Sequence, residues 1–138
     1  MICLDTNVVI AFLNGTSAKV MGRLTGALQA GEVVAISAIV VFELRYGAAR
    51  SGRPDRNGAR IDEFLSGRIA VLPFEADDAR EAGEIRAELA RIGRPTGPYD
   101  ILIAAQARRR GAILVTANER EFVRVPGLTV EDWSIPSG

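Results

Sequence analysis

Met1-Ile2-Cys3-Leu4-Asp5-Thr6-Asn7 is the stretch that decides the fold. Its apolar start reads as a short buried strand, and the polar triplet Asp5-Thr6-Asn7 ends it. Val8 to Leu13 continues as an apolar helical turn or two, closed by Asn14-Gly15. A strand feeding directly into a helix is the unit from which parallel sheets are built, and the pattern recurs downstream. Ser17 is placed to cap a helix over residues 18–30 that Gly31 ends. The β-branched run Val33 to Ile36 is a strand, and Ser37 caps a helix carrying Ile39 to Arg50. Polar Ser51 to Gly58 reads as a loop, followed by a short helix near Ala59 to Leu65 and a strand at Ile69 to Leu72. Asp77 to Ile92 is the clearest amphipathic helix, with Ala79, Ala82, Ile85, Leu89 and Ile92 at spacings of three and four. Gly93 stops it, and Arg94 to Pro98 is a turn-rich connection. A helix over Asp100 to Arg109, a core strand at Ile113 to Val115 and an edge strand at Leu128 to Val130 complete the chain. The expected fold is a single α/β domain over residues 1–138, with three layers: a central parallel sheet and helices on both faces.

Composition narrows the chemistry. A chain of 138 residues has the size of one domain and buries roughly 68% of its unfolded surface, so it needs no disulfide. The single cysteine, Cys3, lies in an apolar run and reads as a small core residue. No stretch approaches the roughly 20 apolar residues of a spanning helix. The apolar start is interrupted by Asp5 and Asn7 and lacks a basic flank and a cleavage site. A soluble cytoplasmic protein with no membrane association is the expectation. Lys and Arg number 17, as do Asp and Glu, which argues against holding nucleic acid by bulk electrostatics alone. Lys19 is the only lysine. Arginine offers a planar fork suited to phosphate, although a GC-rich gene gives the same excess. There is no histidine, which removes Ser-His and Cys-His nucleophilic machinery and the usual His-containing zinc sites. Hydrolytic chemistry here has to rest on carboxylates holding a hard, oxygen-loving metal ion.

Four polar positions stand out. Asp5 follows an apolar strand at its carboxyl end, where open parallel sheets place their ligand crevice; it is equally suited to capping the next helix. Glu43 interrupts the apolar segment Ile39-Val40-Val41-Phe42-Glu43-Leu44, where a carboxylate is costly unless it finds a cation or hydrogen bonds. It either serves a site, looks outward or pairs with Arg50. Asp100 opens the helix Ile101 to Ala105, a place where negative charge is favourable in any case. Asn118 follows the strand ending at Val115, at the same carboxyl edge. Each signal alone is weak, but a parallel α/β domain lets the acids converge.

Ile2-Cys3-Leu4-Asp5-Thr6-Asn7, Phe42-Glu43-Leu44-Arg45-Tyr46-Gly47 and Gly97-Pro98-Tyr99-Asp100-Ile101-Leu102-Ile103-Ala104-Ala105 resemble the successive motifs of PIN-domain proteins, in particular the VapC-type ribonuclease toxins of bacterial toxin–antitoxin pairs. Leu114-Val115-Thr116-Ala117-Asn118-Glu119-Arg120-Glu121-Phe122 and the tail from Val125 to Trp133 resemble that subgroup too, so the likeness runs from Met1 to about Trp133. It implies that Asp5, Glu43 and Asp100 are the acidic ligands of Mg2+ or Mn2+, with Thr6, Asn7 and Thr116 as supporting polar groups. Asn118 departs from the pattern, since many relatives carry a fourth aspartate there. Asparagine still offers a carbonyl oxygen but no charge, which puts a second metal position in doubt unless Glu119 or Glu121 compensates.

The chemistry implied is metal-assisted phosphodiester hydrolysis, with Asp5 as central ligand, Asp100 as a second and Glu43 as ligand or proton acceptor. It does not itself choose RNA over DNA; that choice comes from the resemblance, as do a homodimer and an antitoxin with a basic inhibitory tail. Two rivals come from other classes. An aspartate-nucleophile phosphatase wants a second aspartate two residues after the first, where Asn7 stands. A catalytically inactive PIN-fold binding module is the other, given Asn118.

Overall fold

The structure is a computed structural model that describes residues 1–135; the last three residues of the expected 1–138 domain lie outside the described residues. Strands β1 (Ile2–Leu4), β2 (Val34–Ser37), β3 (Ile69–Leu72), β4 (Ile113–Val115) and β5 (Thr129–Glu131) form one sheet in the order β3-β2-β1-β4-β5. Every pairing is parallel. Around it run α1 (Thr6–Asn14), α2 (Ala18–Gln29), α3 (Ala38–Ala49), α4 (Pro54–Leu65), α5 (Ala76–Arg91), α6 (Pro98–Arg109) and the single turn α7 (Glu119–Phe122). The expected three-layer arrangement therefore holds.

The strand order explains where a site has to form. From β1 the chain steps outward to β2 and β3, then returns to place β4 on the other side of β1. Right-handed crossovers in opposite directions put their helices on opposite faces of the sheet. The helix contacts follow this division, with α1, α3 and α4 packed on one another and α5 packed on α6. Between β1 and β4 the winding reverses, and a crevice opens beyond the strands' carboxyl ends. β1 is buried along its whole length, which is why its sequence is a continuous apolar run rather than an alternating one. Leu4, Ile36, Ile85, Leu89, Leu114 and Phe122 are fully enclosed, each contributing on the order of 1.5–3 kcal/mol by leaving water. Cys3 belongs to this core, and burial pushes its thiol pKa up against the nearby positive charges of Arg110 and the N-terminus.

Helix ends depart from the sequence expectation for local reasons. The supposed loop Ser51 to Gly58 is helical from Pro54 onward. Proline suits a first helical position, where its missing N–H is not needed, and of α4 Ile61 and Phe64 are buried in the core with Leu65 packed against it. For the same reason α6 begins at Pro98, which places Asp100 inside its first turn. α1 starts at Thr6 with Asp5 as its cap, and Gly15 closes it at φ 64°, a conformation that glycine adopts without cost. α7 was not expected, and β5 lies one residue further along than Leu128 to Val130.

The arginines at the end of α6 are structural. Asp78, completely buried, accepts the Glu75 N–H at 2.9 Å, Arg109 Nε at 2.8 Å and Arg110 Nη1 at 3.0 Å. Burial opposes ionisation of this carboxyl, but those donors outweigh it and hold its pKa at about 2. Arg108 bridges Glu81 and Glu88 of α5 at 3.2 and 2.9 Å. These pairs stitch α5 to α6 and leave none of the three guanidinium groups free for phosphate. Among the described residues no helix is long and apolar enough to cross a membrane.

Candidate active site

Asp5 is the hub of the crevice. Its N–H donates to Val115 O at 2.9 Å, extending the β1–β4 pairing by one residue and drawing the side chain to the switch point. The carboxylate is buried and accepts the Thr6 N–H on Oδ1 and the Thr116 hydroxyl on Oδ2, both at 2.8 Å. Thus it caps α1 and occupies the ligand crevice at once, and the two sequence readings are not alternatives. Thr116 in turn accepts the Asn118 N–H at 3.0 Å, so the β4 exit loop is tied to Asp5. Burial pushes the Asp5 carboxyl up, opposed by the hydrogen bonds from Thr116 and Thr6.

Glu43 neither looks idly outward nor pairs with Arg50. Its Oε1 accepts the Thr6 hydroxyl at 2.7 Å, which fixes α3 against the start of α1 and leaves Oε2 unengaged. Asp100 arrives from the first turn of α6. Its carboxyl is raised to about 6, first by burial and then by the negative charges of Asp5, Glu43 and Glu121. The acids from β1, α3 and α6 therefore share one electrostatic neighbourhood. Asn7 and Asn118 are brought to the surface instead, and neither side chain makes a hydrogen bond among the described residues.

Glu121 is the residue that sequence reasoning undervalued. It sits on the unanticipated α7, partly buried, with Arg124 Nη1 3.4 Å from its Oε2, and it contributes to the field at Asp100 where Glu119 does not. An acid one helical turn beyond the vacant aspartate position was the available signal, but only the turn of α7 aims it.

The donors are all oxygen, negatively charged and mutually repelling, which is the set a hard divalent cation takes. Among the described residues no three acidic, thiol or imidazole side chains close around one point on their own. A small hard ion such as Mg2+ is commonly held through one or two carboxylates together with waters. Asp5 and Asp100 are the direct candidates, with Glu43 and Glu121 as flanking charges.

Comparison with known proteins places nearly the whole chain in a family. The family model described as PIN domain matches residues 2–128. The chain is 50% identical over 131 residues to a Shigella flexneri protein named tRNA(fMet)-specific endonuclease VapC, covering 95% of this chain and 96% of that one. Among solved structures, VapBC2 from Rickettsia felis bound to a DNA fragment from its promoter superposes with a TM-score of 0.89 at 36% identity, covering 96% of this chain and 99% of that one. DNA-bound VapBC from Salmonella typhimurium gives 0.87 at 43% identity, covering 96% and 97%. With the acids gathered at the β1–β4 switch point and a family match spanning nearly its whole length, the chain belongs to the PIN domain family.

Proposed function

We propose that this single-domain protein is a Mg2+- or Mn2+-dependent endoribonuclease, the toxin of a VapBC-type toxin–antitoxin pair acting in the cytoplasm. The observation that carries the reading is the convergence of Asp5, Glu43 and Asp100 from β1, α3 and α6 at one sheet edge, where burial and then the charges of Asp5, Glu43 and Glu121 raise the Asp100 carboxyl. Asp5 and Asp100 would hold the cation, which when bound activates a water and neutralises charge on the scissile phosphate. Thr116 and the Thr6 N–H keep both Asp5 oxygens in place. Thr6 holds one oxygen of Glu43, and the other is left to ligate or to accept the proton of the attacking water. Asn118 plays at most a neutral part at the rim, and Asn7 none that a contact supports.

The specificity named for the Shigella relative makes tRNA(fMet) the first RNA to test. The acids also define the antitoxin, whose basic tail would set arginine or lysine against Asp5, Glu43 and Asp100 and replace the cation's charge. A homodimer, which the resemblance implies, would bury apolar surface such as the groove of about 600 Å³ between α5 and α6, lined by Phe74, Leu89 and Ile101 among others.

The deciding experiment is cleavage of single-stranded RNA and of tRNA(fMet) with Mn2+, with and without chelator, by the wild type and Asp5→Asn. Cleavage that chelator and Asp5→Asn both abolish is the expected result. A folded wild type that cleaves nothing while retaining RNA binding establishes the inactive binding module instead.

A further inference from the structure

The four carboxylates that share one field, in a chain of zero net charge, repel the phosphates of an RNA strand, so affinity has to come from other surface. Exposed aromatic surface lies on the same two helices that carry Glu43 and Asp100. Phe42 directly precedes Glu43 on α3, and Tyr99 directly precedes Asp100 on α6. Their rings are 5.5 Å apart between centroids and inclined at 60°, and they keep 50% and 47% of their surface in solvent. The core does not require them, because α3 turns Val40, Leu44 and Ala48 inward.

The surface continues along α3. Tyr46, more exposed still, comes one turn after Phe42, and Arg50 one turn later. The Arg50 guanidinium lies 5.6 Å from the Tyr46 ring centroid and donates to its hydroxyl at 3.2 Å. It pairs with no carboxylate among the described residues. Positions 42, 46 and 50 share one helical stripe, ~12 Å long at 1.5 Å per residue. Aromatic faces followed by a guanidinium that pairs with no carboxylate are what an unpaired strand uses, bases on the rings and phosphate on the fork.

We propose that Tyr99, Phe42 and Tyr46 form a stacking platform for unpaired RNA bases next to the cleaved bond, with Arg50 engaging the backbone. This rests on the ribonuclease reading above and adds a specificity to it. Bases in an A-form duplex hide their faces, so the platform selects loops and other single-stranded segments.

The test reads binding without metal. A single-stranded RNA carrying 2-aminopurine is titrated in chelator, following fluorescence and anisotropy. Wild type is expected to bind and quench the probe. Phe42→Leu and Tyr99→Leu, which keep apolar bulk but lose the ring, are expected to weaken binding roughly ten-fold or more and abolish quenching, while Tyr99→Phe retains both. Unchanged affinity and quenching in the leucine variants overturns the proposal. So does sedimentation showing that these variants and Tyr46→Leu turn a dimer into a monomer with affinity per chain intact, which makes the stripe a contact between copies. Wild type that binds and quenches but never cleaves with Mn2+ removes the nuclease reading and keeps the platform. Normal cleavage with unaltered KM in the leucine variants does the reverse.

Discussion

Replacing Asp100 by asparagine removes one negative charge from the acidic cluster while keeping the side chain's shape, and the structure sets the size of the effect. A carboxyl moved from 3.8 to about 6 is disfavoured in its charged form by roughly 3 kcal/mol, at about 1.36 kcal/mol per pH unit. Solvent on its exposed side screens part of this, and the variant loses ~0.5 kcal/mol of favourable interaction with the α6 N-terminus. A net gain of about 1–2 kcal/mol is therefore expected for metal-free Asp100→Asn at pH 7.5. The sign follows from linkage: the folded pKa lies above the unfolded one, so wild type binds more protons when folded and loses stability as pH rises from 3.8 through about 6. Below that window Asp100 is neutral in both states and the advantage of the variant disappears. Urea unfolding in chelator across pH 3.5 to 7.5 measures it. Adding Mn2+ reverses the order, because wild type gains binding free energy that the variant lacks. An Asp100→Asn protein that is less stable at pH 7.5, or whose difference from wild type does not change with pH, refutes the claim that burial and the neighbouring acids disfavour the charged form of Asp100.

Other positions are open to equally direct tests. Asp78 contributes on the order of 2 kcal/mol that is fully present above pH 3.8 and lost as pH falls towards about 2, and Asp78→Ala is expected to cost ~3–5 kcal/mol at pH 7. Thermal unfolding at both pH values checks these figures, and an acid-insensitive wild type contradicts them. Thr6→Val frees Glu43 Oε1 and is expected to lower cleavage at least ten-fold with the melting temperature nearly unchanged, whereas Thr6→Ser keeps the hydroxyl and the activity. Glu121→Gln is expected to weaken Mn2+ binding in titration calorimetry and Asn118→Asp to tighten it. An Asn118→Asp protein with unaltered affinity places Asn118 outside the metal's immediate surroundings.

Much of the candidate site was legible because each acid breaks a local rule. Asp5 ends an apolar strand, and Glu43 sits inside an apolar helical segment, so their positions stood out before any contact was known. Asp100 and Asn118 were ambiguous, since helix starts and strand exits favour such residues anyway. The structure separates them, drawing Asp100 into the cluster and leaving Asn118 in solvent. Glu121 has no such local signature, because nothing in the sequence near it reveals that one turn of helix follows β4.

By itself the sequence determined the alternation of strands and helices, the parallel sheet and the carboxylate character of the candidate site. These follow from short-range physics: apolar periodicity, caps and turns, and the absence of histidine. Tertiary structure alone decided that the chain reverses its winding between β1 and β4, which brings Asp5 and Thr116, 111 positions apart, to 2.8 Å. It also decided that the arginines ending α6 are spent on Asp78, Glu81 and Glu88 while Phe42 and Tyr99 meet at the surface, half exposed. Pairing across such separations depends on which elements pack together, and a local pattern carries no record of it.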